Sequence, residues 1–154
     1  MTAGGVAPSE RPDERIGAFL DTHSIMVLAT VDEGGPWAAP LAYAMDSRLN
    51  LYFLSDPSTR HCRALLQCQN VAGSIQEEAW CWEEFTGLQF SGIASDVEES
   101  EREKVFRLYA AKFPFVTTLG SHAVPHRFFR ITPRWFRLMS NRQWLGWKEE
   151  MYLA

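Results

Sequence analysis

Residues 36–61, PWAAPLAYAMDSRLNLYFLSDPSTRH, decide the fold. Two strand-like runs, 37–44 and 49–54, flank a short polar break at 45–48. Strands joined by so short a connection pair antiparallel. The second run leads into Ser55-Asp56-Pro57-Ser58-Thr59-Arg60-His61, rich in hydroxyls and ending in a cation where a helix begins. A helix start offers free N–H groups and a positive dipole end. Ser58 and Thr59 add hydroxyl donors, and Arg60 adds a forked cation suited to phosphate, with Arg63 one turn further on. A hairpin beside such a turn is a seat for a phosphorylated cofactor. Ordinary helix capping by Ser and Pro, with a solvated arginine, is the competing reading.

Upstream, Pro12 suits a first helical turn, and Ile16, Phe19 and Leu20 form one apolar stripe. That predicts a helix to about Thr22. Residues 25–31 are apolar at nearly every position, which reads as a strand buried on both faces. Residues 32–36 are a turn by composition. Pro40 sits inside the next run and cannot donate to a ladder, so this strand is expected to have a free side or a bulge there. Ala38, Ala39 and Ala42 leave room for a flat ligand beside the backbone or, equally, for tight strand packing.

Downstream, residues 60–68 read as a short helix with Cys62, Leu65 and Leu66 inward. Residues 70–76 read as a strand, 77–84 as an acidic loop holding Trp80 and Trp82, and 86–97 as a long strand. Leu88, Phe90, Gly92 and Ala94 share one face of that strand. Residues 98–113 form the clearest helix, stopped by Pro114, and 115–126 a covering loop. Two strands, 127–132 and 134–140, are expected to break at Pro133, followed by a tail at 141–154. About seven strands with short helices, the first three joined by turns, give an α+β domain. It is expected to be a mostly antiparallel six- to seven-stranded split β-barrel with peripheral helices. Residues 1–9 are small and polar and read as disordered; 10–154 read as one domain.

The formal net charge of −4 argues against a nucleic-acid partner, which needs a clustered basic surface. Arg127, Arg130, Arg134, Arg137 and Arg142 alternate like solvated strand faces. Three cysteines without a CxxC pair exclude a disulfide framework or zinc site and fit a reducing cytoplasm. No apolar run reaches the roughly 20 residues of a membrane helix, and no signal peptide is visible. Six Trp and ten Phe are many for 154 residues, so some are expected to cover a ligand or a subunit interface.

Rossmann, P-loop, serine-elbow and HExxH patterns are all missing. His23, His61, His122 and His126 read by default as surface or hydrogen-bonded residues, so no metal site is assigned. No acid–base pair can be singled out, and the catalytic residues stay unknown.

Six stretches carry a resemblance: PWAAPLAYA (36–44), LYFLSDPSTRH (51–61), NVAGSI (70–75), GLQFSG (87–92), YAAKFP (109–114) and SNRQWLGWK (140–148). In this order the chain resembles the FMN-binding split-barrel superfamily of pyridoxamine 5'-phosphate oxidase relatives, and more narrowly its YhbP-like branch. The resemblance implies a homodimer with two FMN sites at the interface. It places the isoalloxazine along Trp37, Ala38, Ala39, Pro40 and Leu41, and the ribityl side against Phe53 and Leu54. Ser58, Thr59 and Arg60 match the phosphate turn, and Gln89 matches a flavin-edge contact. Trp144 and Lys148 would approach from the partner subunit. The extra basic residues and longer chain of the vitamin B6 oxidases proper have no counterpart here. The implied function is an FMN-dependent oxidoreductase acting on an unknown small-molecule substrate or electron donor. The alternative is a non-catalytic stress or storage protein binding flavin, F420 or heme.

Overall fold

The computed structural model describes residues 12–119 and 126–154. The segment expected to be disordered and His122 lie outside these residues. The elements run α1 (Pro12–Thr22), β1 (Ile25–Asp32), β2 (Gly35–Met45), β3 (Leu51–Ser55), α2 (Arg60–Gln67), β4 (Asn70–Gln76), β5 (Thr86–Asp96), α3 (Arg102–Lys112), β6 (Arg127–Ser140) and β7 (Lys148–Tyr152). One antiparallel sheet has the order β3-β2-β1-β4-β5-β6-β7, and β3 also pairs with β6. Six strands thus close a barrel, and the seventh extends it. This is the α+β split barrel with peripheral helices that the sequence predicts.

The split lies in β6. Its first part pairs with β3 from Arg127 to Ile131, its second with β7 from Trp135 to Met139, and β5 runs along nearly all of it. The two strands expected to break at Pro133 are therefore one strand. Pro133 sits in the gap between those two pairings, opposite Gly92, where β5 shifts register between Ser91 and Gly92. A missing N–H costs least where a ladder is already interrupted. A Cβ at Gly92 would stand 2.3 Å from the Thr132 carbonyl oxygen, so only glycine allows this approach.

The expected tail also contains a strand. β7 is mostly polar and exposed on alternate residues, so it lacks a hydrophobic signature. Arg15 of α1 pairs with Glu149 of β7 and lies over the Trp147 ring.

The α1 stripe Ile16, Phe19 and Leu20 closes one part of the barrel core together with Met26, Leu28 and Tyr43. Phe53 and Phe129 stack inside it with centroids 5.1 Å apart, a pairing worth about 1 kcal/mol beyond burial. A second cluster lies under α3, where Val105 and Tyr109 meet Tyr52 and Phe128. In α2, Cys62 and Leu65 are buried as predicted, but Leu66 is 83% exposed. The helix turns about 100° per residue, and the buried face is completed by His61 and Ala64 instead.

β2 keeps one edge open. It pairs with β1 from Gly35 to Ala42, and β3 joins its other edge only at Tyr43, Ala44 and Met45. Tyr43 N donates to Ser24 O at 3.0 Å, toward β1. Alternation then aims the nitrogens of Leu41, Ala39 and Trp37 at β1 and those of Pro36, Ala38, Pro40 and Ala42 at the open edge. Both prolines stand where the missing donor leaves no gap in the β1–β2 ladder, matching the expected free side.

Candidate functional site

Chain direction builds the anion end. β3 ends at Ser55, an Asp56–Ser58 turn reverses the chain, and α2 starts at Arg60. Asp56 shapes the turn: its Oδ1 accepts the Ser58 N–H at 2.8 Å. That N–H holds the Asp56 carboxyl below the usual range. Thr59 is the N-cap of α2, yet its side chain does not cap the helix. Its hydroxyl donates to Asp56 O at 2.8 Å. The first-turn N–H groups of α2 are thus left unmet by the N-cap side chain, which is the chemistry of an anion seat.

The turn also folds His61 back on Ser55. Nε2 lies 2.7 Å from Ser55 Oγ and 3.2 Å from Thr59 Oγ1. Ser55 is 6% and His61 7% exposed. Loss of hydration pushes the His61 pKa below its ordinary value, favouring the neutral ring. Sequence reasoning left Ser55 out and gave His61 no role. The signal was that the two residues bracket the polar turn.

Arg60 reaches the β1–β2 turn. Its Nε and Nη2 donate to Asp32 Oδ2 and Oδ1 at 2.9 and 3.0 Å. Its guanidinium carbon lies 4.4 Å from the Trp37 ring centroid. The hydrogen bond from Arg60 holds the Asp32 carboxyl below its usual range. Gly34 N also donates to Asp32 Oδ1 at 2.8 Å, and a Cβ at Gly34 would come within 2.8 Å of Arg60 Nη2. The Nε–Nη2 edge of the fork is committed to Asp32, leaving the Nη1 edge for another acceptor. Arg60, Arg63 and Gln67 line a cleft of about 490 Å³ beside this pair.

The other expected contacts fall in three places. Along β2, alternation separates Ala38 and Pro40, which are exposed, from Ala39, which is buried, and Leu41, which packs on the core. Phe53 is fully buried, and its ring lies in the core with its centroid 6.2 Å from that of His61. Leu54 lines an apolar pocket of about 290 Å³ with Phe106, Val116 and Phe128. Gln89 lies on β5, exposed, while β1 and β4 separate β5 from β2 in the sheet. Trp144, 63% exposed, and Lys148 lie at the β6–β7 connection. The single chain therefore brings together the turn and the β2–β3 wall, and places Gln89 on β5 and Trp144 and Lys148 at the β6–β7 connection.

The late arginines are mostly paired with carboxylates: Arg130 with Glu101, Arg137 with Glu150, and Arg142 with Glu77. They form ion pairs at the surface rather than a basic patch. No helix among the described residues is long and apolar enough to cross a membrane.

A closed antiparallel barrel with a shared, divided strand and a polar turn at its rim defines a split-barrel protein. The chain belongs to the pyridoxamine 5'-phosphate oxidase family, which it matches over residues 12–140. It is 30% identical to the UPF0306 protein YhbP of Salmonella paratyphi C over 105 residues, 68% of this chain and 71% of that protein. Among solved structures it is similar to HutZ, the heme storage protein of Vibrio cholerae. That likeness has a TM-score of 0.67 at 23% identity, over 80% of this chain and 91% of that one. It is also similar to an FAD-binding protein of Mesorhizobium loti, with a TM-score of 0.65 at 18% identity, over 80% and 88% of the two chains. At these identities the two structures speak for the fold alone.

Proposed function

We propose that this chain is a flavin-binding protein that holds a phosphorylated flavin, FMN before F420, and that its own side chains supply no catalytic acid or base. The observation that carries this reading is the Ser55–Thr59–His61 cluster at the uncapped start of α2. Ser58, the Nη1 edge of Arg60 and the α2 N–H groups would complete the phosphate end. At the ring end, Ala38 and Pro40 are exposed and carry no titratable side chain. Between two prolines, Ala38 N–H offers the open edge a single donor for the rim of a ring. Leu54 and its apolar pocket would take the chain between ring and phosphate. Gln89, Trp144 and Lys148 would come from a second copy in a homodimer. When bound, the flavin supplies the redox chemistry, and the protein supplies position and electrostatics. Three free cysteines suit a cytoplasmic setting.

Heme storage, the printed role of HutZ, is less well supported at His61 and His23. His61 Nε2 is engaged by Ser55. His23 uses Nδ1 on Phe19 O at 2.6 Å and Nε2 on Glu77 at 3.3 Å. Either ring would have to break these contacts to become an axial ligand. A second reading, an FMN-dependent oxidoreductase of unknown substrate, is favoured by the family match.

The absorbance spectrum of the purified protein and an FMN fluorescence titration test the proposal. Blue-region flavin bands and saturable quenching are expected. A Soret band, or a colourless protein that leaves FMN fluorescence unchanged, overturns it. Turnover with NADH or NADPH and an acceptor would move the assignment to the second reading.

A further inference from the structure

We propose that His61 is a positioning residue that sets the direction of the Ser55 hydroxyl hydrogen, so that binding of a phosphate group at this turn takes up a proton at His61. The proposal rests on the phosphate reading given above and concerns the regulation of that site.

The cluster has few hydrogens to give. The cluster has three polar atoms, and Thr59 has already committed its hydrogen to Asp56 O at 2.8 Å. A neutral ring with a bare Nε2 takes the hydrogen of Ser55 across 2.7 Å. Neither hydroxyl then has a hydrogen left for an anion, although both have lone pairs that repel one. A protonated ring must donate from Nε2, and the Ser55 and Thr59 oxygens at 2.7 and 3.2 Å are its acceptors. The Ser55 hydrogen is displaced and can turn outward, and a cation now lies behind the donors. These two states differ by one proton and present opposite faces to a phosphate; the other neutral tautomer, with its hydrogen on Nε2, also frees the Ser55 hydrogen but puts no cation behind it, so the charge on the ring is what couples the site to pH.

The surroundings leave this proton to the ligand. Asp56 faces the cluster from the turn, with its Oδ1 on Ser58 N. Arg60, next to His61 on α2, is turned to Asp32. Arg127 is the register partner of Ser55 on β6, and His126 precedes it and acts on Asp56. Loss of hydration lowers the His61 pKa in the free protein. A phosphate dianion beside it favours the charged ring instead. By linkage, affinity rises on acidification across the interval between the free and bound pKa values of His61, by up to tenfold per pH unit for one proton. The second ionisation of the phosphate itself, near 6, acts in the opposite sense and is cancelled by comparison with a variant.

The experiment measures FMN affinity by fluorescence quenching between pH 5.5 and 8.5 for the full chain and for His61→Gln. The glutamine amide can donate to Ser55 but does not titrate. The variant-to-wild-type ratio of Kd is expected to be largest at the acid end and to fall several-fold as pH rises. NMR of the His61 ring is expected to show its titration moving to higher pH when FMN is bound. A ratio independent of pH, or a His61 titration that FMN does not move, overturns the proposal while leaving FMN binding intact. Failure to bind FMN at any pH overturns the phosphate reading as well. If His61→Gln does not fold, the wild-type NMR titration decides alone.

Discussion

Gly92→Ala tests the geometry of the split. A Cβ built at this position meets Thr132 O at 2.3 Å, Pro133 Cα at 2.9 Å and Thr132 C at 3.0 Å. All three atoms belong to the backbone of the neighbouring strand, so no rotamer change relieves the contact. The nearest atom lies about 1 Å inside ordinary contact distance, and β5 and β6 must separate by a comparable amount. Overpacking of this kind costs about 1–3 kcal/mol, and loss of one adjacent ladder hydrogen bond adds about 1 kcal/mol. The sum, about 2–4 kcal/mol, corresponds to a fall in Tm of roughly 4–16 °C for a chain of this size. Gly87→Ala on the same strand is the control. Its Cβ would stand 3.5 Å from Ile75 O, an ordinary contact, and should cost less than about 1 kcal/mol. Thermal unfolding followed by far-UV circular dichroism reads both variants. If Gly92→Ala melts within 2 °C of wild type, the close approach at Pro133 is not the constraint argued above.

Arg60→Ala should weaken FMN binding by roughly tenfold, the scale of one charge-assisted hydrogen bond; unchanged affinity in a titration would remove Arg60 from the site. Ala38→Trp adds a ring to an exposed position of β2. Its stability should stay within about 0.5 kcal/mol while FMN affinity drops at least tenfold, and equal affinity would take the flavin off this strand. Acid should also weaken the free protein. His61 has a lowered folded pKa, so its contribution is complete above the ordinary histidine value near 6.5 and is lost as pH falls through the window below it. The loss is at most about 1.4 kcal/mol per pH unit. Melting curves from pH 7 to 5 should show a slope that His61→Gln reduces; parallel slopes would contradict it.

Much of the fold was readable because its signals are local. The α1 stripe, the β4 run and the Pro40 edge argument each depend on a few neighbouring residues; β1 is a strand as read, but its burial alternates, with Ile25 and Val31 exposed, so it is not buried on both faces. β7 was not readable, since KEEMY has no apolar alternation and is fixed by contacts with α1 and β6. Pro133 misled for a related reason: whether a proline breaks a strand depends on what its neighbours would have bonded to, and here β6 itself bulges beside it, with Arg134 left out of the pairing to β5. At the candidate site, residue types at the turn signalled an anion seat, but directions did not. The Arg60–Asp32 pair spans 28 positions in sequence, and no spacing rule links a turn aspartate to a helix arginine at that distance. His61 gained its place only once the Asp56–Ser58 turn had folded α2 back over Ser55.

The open edge of β2 has one further consequence. An unpaired, solvent-facing strand is a template on which any extended chain can polymerise. Here the prolines at 36 and 40 interrupt that template at alternate positions, since a docking strand would find acceptors without matching donors. They also close the way to fibril-like stacking while leaving space for a flat, rigid molecule that needs only one hydrogen bond. Restoring N–H groups with Pro36→Ala and Pro40→Ala should therefore favour concentration-dependent self-association. The same few residues that would admit a cofactor keep the strand from recruiting other proteins.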